Sequence, residues 1–123
     1  MPPTLNEQTS IYLQIAKMLE DGILRGIYPE DTQVPSTNEL ARTLCINPAT
    51  AAKGLNLLTE DGILYKRRGI GMFVATRAAE KIRAKRKQTF FEQYVHPLAA
   101  EAKNLGITPA ELQAMLAQAS EKE

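Results

Sequence analysis

The stretch VPSTNELARTLCINPATAAKGLNLLTEDGILYKRRGIGMFVA, residues 34–75, holds the densest run of structural signals in the chain. Ser36 followed three positions later by Glu39 is a capping-box pair, which predicts a helix opening there and running to about Leu44. Cys45, Ile46 and Asn47 then form a turn. Asn47 is a strong N-cap, and Pro48 suits the first helical position, where a missing N–H is no loss. This second helix is expected to reach about Asp61 and to stop at Gly62, a natural C′ residue. On a helical wheel Ala51, Leu55 and Leu58 share one face, while Ala49, Lys53, Asn56 and Glu60 share the opposite one. Residues 63–66 and 72–75 read as short strands around the basic, glycine-bearing loop Arg67-Arg68-Gly69-Ile70-Gly71.

A short helix, a tight turn and a second helix with a small, polar, singly basic outer face make a helix-turn-helix pattern, and the two strands add a wing. Upstream, Ser10 is placed to cap a helix in which Ile11, Ile15, Leu19 and Ile23 recur at four-residue spacing, supported by Tyr12 and Met18. Gly26 ends it. Laid across the two helices of the motif, its apolar stripe gives three helices around a small core. Residues 27–31 read as loop, residues 32–34 as a short strand closing the wing sheet, and residues 1–9 as a loose arm.

Downstream the chain changes character. Residues 77–104 lack glycine and are rich in Ala, Lys, Arg, Glu and Gln, which predicts helix. Phe91, Tyr94, Val95, Leu98, Ala102 and Leu105 recur there at helical steps, and Pro97 inside the pattern predicts a kink or break near residues 93–97. Thr108-Pro109-Ala110-Glu111 is a further capping box, opening a last helix with Leu112, Met115, Leu116 and Ala119 inward; residues 120–123 are expected to fray. The expected class is therefore mainly α with a small β wing (α+β): a winged helix-turn-helix domain over residues 1–76 and a C-terminal helical hairpin over residues 77–123. Two helices of this size cannot bury two apolar stripes on each other, so a second copy is expected to complete the packing through Phe91, Tyr94, Val95, Leu98, Leu105, Leu112, Met115 and Leu116. The alternative is a hairpin folded back on its own winged-helix domain.

Fifteen basic and 14 acidic residues nearly cancel over 123 positions, but their distribution is uneven. Residues 66–87 hold nine basic side chains (Lys66, Arg67, Arg68, Arg77, Lys81, Arg83, Lys85, Arg86, Lys87) against one acid, Glu80. Such a zone suits phosphate, although a solvated helix surface has the same composition. A single cysteine, Cys45, excludes an internal disulfide and fits a reducing compartment. Neither a signal peptide nor an apolar run of membrane-spanning length is apparent, which points to a cytoplasmic protein without a membrane partner.

Lys53 and Asn56 project from the outer face of the second helix, where lysine bonds guanine acceptors and asparagine bonds adenine. Ala49 and Thr50 let the backbone come close, and the free N–H groups at the helix start, after Asn47, suit a phosphate. Ser36, Thr37 and Asn38 stand at the other helix start. In the wing, Arg67 and Arg68 reach for phosphate or a narrow minor groove, and Gly69 and Gly71 permit the turn. Each of these has a plain structural alternative as solvated face, cap or turn former. Gly54 inside the helix suggests close packing by a neighbour, since glycine there costs about 1 kcal/mol relative to alanine. His96 lacks companion ligands for a metal, and Phe90, Phe91 and Tyr94 at helical spacing suggest core before a ligand cavity.

Taken together, Val34-Pro35-Ser36-x-x-Glu39-Leu40-Ala41, Asn47-Pro48-Ala49-Thr50, Leu58-x-x-Asp61-Gly62-Ile63-Leu64 and Arg68-Gly69-Ile70-Gly71-Met72-Phe73-Val74 resemble the GntR-type winged-helix transcriptional regulators. Ile11-Tyr12-Leu13-Gln14-Ile15 and Gly26-Ile27-Tyr28-Pro29 match the family's first helix and following loop, so the resemblance covers roughly residues 8–76. The remaining 47 residues (123 − 76) are too few for a large effector domain, and the short tail is similar to the YtrA subgroup. That resemblance implies a homodimeric repressor of its own operon and of an adjacent ABC-type transporter, bound to a double-stranded operator of palindromic half-sites. The chain departs from the family pattern at Asn38, Pro48 and Ala52, where many members are basic, and at Cys45, where glycine is usual and φ > 0 would strain a side chain.

The sequence reading is thus a DNA-binding regulator without cofactor or metal. Release by a small-molecule effector and plain autorepression are both compatible with it. The alternative class is a winged helix used for protein contact, with Leu57 and the thinly basic helix meeting a partner. Catalysis lacks a nucleophile–base pair, a metal-ligand cluster and a phosphate-cradling loop.

Overall fold

Residues 10–122 are described by the structure, a computed structural model, so the expected arm at residues 1–9 lies outside them. Helix α1 (Ile11–Leu24) opens at Ser10, whose carbonyl accepts from the N–H groups of Leu13 and Gln14 at 3.1 and 3.2 Å. The Ser10 hydroxyl makes no cap bond, contrary to expectation. Gly26 ends the helix at φ +80°. Helices α2 (Thr37–Leu44) and α3 (Pro48–Glu60) follow, joined through Cys45-Ile46-Asn47. Strands β1 (Leu64–Arg67) and β2 (Gly71–Val74) pair antiparallel, with Leu64 opposite Val74 and Arg67 opposite Gly71.

Each strand sits one residue closer to the wing tip than the sequence suggests. Ile63 is still in the exit from α3: its N–H bonds the Leu58 carbonyl at 2.9 Å, and its own carbonyl accepts from Ala75. The third strand expected at residues 32–34 reduces to a single bridge between Gln33 and Phe73, flanked by bonds from Val34 N–H to Met72 and from Val74 N–H to Thr32.

Alternation along the helices decides what is inside. Ile15, Leu19 and Ile23 of α1 meet Ala51, Leu55 and Leu58 of α3, with Leu40 of α2 and Ile63, Leu64 and Val74 closing the core. Each large side chain fully buried there contributes about 1.5–3 kcal/mol. Helix α4 (Ala78–Phe90) adds Ala78 and Ile82, one turn apart and both fully buried. The first compact unit therefore extends to Ala84, beyond the boundary expected at residues 76/77.

The second unit begins at Lys85. Within it the backbone stays helical through a π-helical turn, Phe91–Val95, before α5 (His96–Asn104). The expected kink or break is thus a wider turn lying directly ahead of Pro97, which shifts the carbonyl that the proline ring would otherwise crowd. Gly106 at φ +72° turns the chain, with Ile107 N–H bonded to Ala102 at 2.8 Å. Thr108 and Glu111 form the expected capping box of α6 (Pro109–Glu121), which continues through Ser120 instead of fraying there. Phe90, Phe91, Tyr94, Leu98, Leu105, Met115 and Leu116 are 40–66% exposed. The aromatic residues expected as core are not buried by this chain alone. Val95 and Leu112 are half-buried.

Two backbone positions generate predictions. A Cβ at Gly54 would stand 3.0 Å from the Tyr12 carbonyl oxygen and 3.1 Å from Ile15 Cγ2, tighter than ordinary van der Waals contact, so the backbone of α1 would have to give way to accept it. Gly54→Ala is expected to destabilise by about 1 kcal/mol, overpacking outweighing helix propensity, and Gly54→Val by more. Cys45 holds φ 55°, ψ 49°, the left-handed region that costs a side chain about 1 kcal/mol or more. Cys45→Gly is expected to stabilise by up to about 1 kcal/mol, the relief exceeding the added unfolded-state entropy. Urea denaturation of the three variants checks both signs.

Candidate nucleic-acid interface

The two helix starts are built by side-chain caps, reciprocal at α2 and one-way at α3. Glu39 N–H donates to Ser36 Oγ and Ser36 N–H to Glu39 Oε1, both at 3.1 Å. The Ser36 backbone N–H, then its hydroxyl, hold the Glu39 carboxyl below its ordinary value of 4.5, with a smaller contribution from Arg42. Asn47 Oδ1 accepts from Ala49 N–H at 2.8 Å. Both predicted DNA-contacting residues therefore already work as caps. Thr37 is half-buried and Asn38 exposed at the start of α2.

On α3 the outer face is as the wheel predicts. Ala49, Lys53, Asn56 and Glu60 are exposed and Thr50 is half-buried. Tyr12, Ala49, Ala52, Lys53, Asn56, Leu57 and Glu60 line one groove along that face. Lys53 Nζ stands 4.1 Å from the centre of the Tyr12 ring. Lys53 is the only cation on α3.

The wing divides its two arginines. The Arg67 guanidinium lies 4.3 Å over the Phe73 ring and donates to Tyr65 Oη at 3.0 Å. Tyr65 donates in turn to Asp31 Oδ1 at 2.8 Å and stacks on Phe73 across the strands, centroids 5.9 Å apart. Arg67 is thus laid along the sheet. Arg68 is exposed and makes none of these contacts. Gly69 takes φ +77°, and the Gln33 side chain occupies the place of a Cβ at Gly71, donating to the Ile70 carbonyl at 2.9 Å.

The basic zone is likewise partly structural. Lys81 Nζ donates to the Gly62 carbonyl at 2.9 Å, tying α4 to the exit of α3. Arg77 adopts φ 61°, its backbone N–H, not its guanidinium, bonded to Glu30 Oε1 at 2.7 Å. Lys85 and Arg86 also have partners, whereas Lys66 and Arg68 stand exposed on the wing.

All twelve residues singled out for DNA lie in the first unit, and Ala49, Lys53 and Asn56 share one groove. Tyr12, Asp31, Gln33 and Tyr65 were missed as site components. Only the Tyr65–Phe73 pairing was within reach, by assigning the strand register from the loop glycines. Among the described residues no group of three His, Cys, Asp or Glu side chains is placed to hold a metal, and no helix is long and apolar enough to cross a membrane.

A three-helix unit with a two-stranded wing and an accessible third helix is the architecture of a winged helix-turn-helix protein. Residues 11–74 match the bacterial regulatory proteins of the gntR family, and the chain belongs to that family. It is 29% identical over 99 residues to the HTH-type transcriptional repressor YtrA of Bacillus subtilis (strain 168), covering 80% of this chain and 75% of that one. A crystal structure of a GntR-family regulator from Bacteroides thetaiotaomicron superposes with a TM-score of 0.77 at 34% identity, covering 91% of this chain and 97% of the other. The DNA-binding domain of AraR, solved in complex with operator ORX1, superposes with a TM-score of 0.54 at 29% identity, covering 61% and 92%.

The capping box has a testable pH signature. Because the folded Glu39 carboxyl titrates below its unfolded value, its contribution is complete above about pH 4.5 and is lost as pH falls through the lowered folded value. Glu39→Gln is expected to flatten that part of the stability curve between pH 5 and the acid limit, while Ser36→Ala costs about 1 kcal/mol at neutral pH. Thermal melts across this range check both.

Proposed function

We propose that the chain is a sequence-specific repressor that binds its operator as a homodimer, each protomer setting α3 in a major groove and its wing on the adjacent backbone. The observation that carries this reading is the outer face of α3: Ala49, Lys53 and Asn56 line an accessible groove and have no place in the core. Ala49 and Thr50 let the helix start approach phosphate, Lys53 and Asn56 meet base edges, and Arg68, with Gly69 at the tip, meets the backbone. Ser36, Thr37, Asn38 and Asn47 flank the helix starts, with Ser36 and Asn47 presenting backbone while their side chains cap. Arg67 and Gly71 shape the wing.

The second unit supplies the partner copy. Phe91, Tyr94, Leu98, Leu105, Met115 and Leu116 put a large apolar area in water, and a second set of the same helices covers it, with Val95 and Leu112 at its margin. YtrA is named a transcriptional repressor, and the first DNA to try is the promoter of the chain's own operon, with that of a neighbouring transporter operon next. An effector at the dimer interface is compatible with this arrangement and is not required by it.

Fluorescence anisotropy against those promoters, and against duplexes enriched by in-vitro selection, tests the reading. Submicromolar binding that weakens with salt supports it. Weak, salt-insensitive binding to every duplex, with stoichiometric capture of a protein partner, would favour a protein-contact module instead. Arg68→Ala is expected to reduce the salt slope by about 1 without changing the melting temperature, whereas Arg67→Ala loosens the wing and lowers both affinity and stability. Tyr94→Asp with Leu116→Asp is expected to yield a folded monomer, by light scattering and circular dichroism, whose operator affinity falls at least tenfold because the second half-site becomes a separate binding event.

A further inference from the structure

We infer that Tyr12, on the first helix and outside the helix-turn-helix, is a positioning residue for DNA recognition: its ring fixes the ammonium of Lys53 against the base-reading groove. This rests on the proposed role of α3. The geometry is specific. Lys53 Nζ lies 4.1 Å from the Tyr12 ring centre, within the range in which a cation is held over an aromatic face. The two residues come from different helices, and what brings them together is the next position along, Gly54, whose missing side chain lets the Tyr12 carbonyl approach to 3.0 Å from where a Cβ would be. Tyr12 is half-buried and itself lines the groove into which Lys53 projects.

The consequence follows from the chemistry of lysine. Its ammonium is a point charge on a flexible four-carbon stem, and that freedom is lost on contacting a base edge or phosphate. A ring that already restrains the stem reduces the loss, which is preorganisation. Since Lys53 is the only cation on α3, restraining it acts on the one cationic contact that the helix can make in the groove. Ala49 and Ala52 beside it are too small to provide that restraint, and Asn56 carries no charge.

The test is a thermodynamic cycle on the full chain with the duplex recovered by in-vitro selection. Tyr12→Leu is expected to weaken binding about two- to fivefold, the worth of an exposed cation–π contact, and to have no further effect in a Lys53→Ala background. Tyr12→Phe keeps the ring and is expected to retain wild-type affinity. Loss with Tyr12→Phe equal to that with Tyr12→Leu would overturn the proposal in favour of a direct contact by the hydroxyl. An equal loss from Tyr12→Leu with and without Lys53 would overturn it in favour of a packing role. Independently of DNA, the side-chain methylene protons of Lys53 are expected to show an upfield ring-current shift by NMR that disappears in Tyr12→Leu and persists in Tyr12→Phe. Absence of that shift in the wild type overturns the clamp itself. A normal shift with no duplex bound would instead defeat the DNA-binding reading on which the inference rests.

Discussion

Helix α1 reaches α3 at van der Waals distance because position 54 has no side chain. With the Tyr12 carbonyl and Ile15 Cγ2 both lying about where a β-carbon would need space, one glycine sets the separation of the two helices. The core depends on that separation, since Ile15, Leu19 and Ile23 interlock with Ala51, Leu55 and Leu58 across it. So does the outer face, because the same approach brings Tyr12 over Lys53. Glycine in a helix interior costs about 1 kcal/mol in propensity, and the burial it permits offsets that several times over. Packing and the proposed recognition surface are here two consequences of one contact.

The cations of the chain look alike in sequence and are divided by the fold. Lys81 satisfies the carbonyl of Gly62 at the exit of α3, and Arg67 stacks on Phe73 and bonds Tyr65. Each gives up part of its freedom to hold an element in place. The relay from Arg67 through Tyr65 to Asp31 also links the wing sheet to the loop after α1, so the wing is braced at its base while Arg68 at its tip remains exposed. Counting charges along residues 66–87 therefore overstates what is available to phosphate. A rigid wing with one unengaged guanidinium at its tip is better suited to positioning than to bulk electrostatic attraction.

What the sequence reveals depends on how local each signal is. The capping boxes at Ser36 and Thr108 and the N-cap at Asn47 with Pro48 were legible because the partners lie within four residues, and the structure forms all three. The inner and outer faces of α3 were equally legible from periodicity. Signals that depend on tertiary neighbours were not. The strands shift by one residue because Ile63 is needed to close α3, and the third strand reduces to a bridge at Gln33, whose side chain bonds the loop carbonyl of Ile70. Ala78 and Ile82 join the first core although composition placed them with the tail. At Cys45 the motif demands the left-handed region whatever residue occupies it, and tertiary constraint overrides local preference. On the site, individual donors could be nominated, but the Tyr12–Lys53 contact joins residues 41 positions apart on different helices, which no spacing rule reaches, and the Arg67–Phe73 contact follows only once the hairpin register is known.

The two units have complementary deficits. The first presents an α3 with one cation and a wing with one unengaged arginine, few charges for a protein that must compete with nonspecific duplex. The second leaves seven large apolar side chains, from Leu98 at 40% to Leu105 at 66% exposure, without cover from its own helices. In the proposed dimer each deficit is answered by the same event. Pairing the apolar helices places two α3 helices on one duplex, so the second contact forms at the effective concentration set by the linkage and not at that of free protein, and two weak half-site contacts combine into a tight one. On that account the sparse charge of α3 is an advantage, because a recognition helix that bound strongly as a single copy would discriminate less between a paired operator and any isolated half-site.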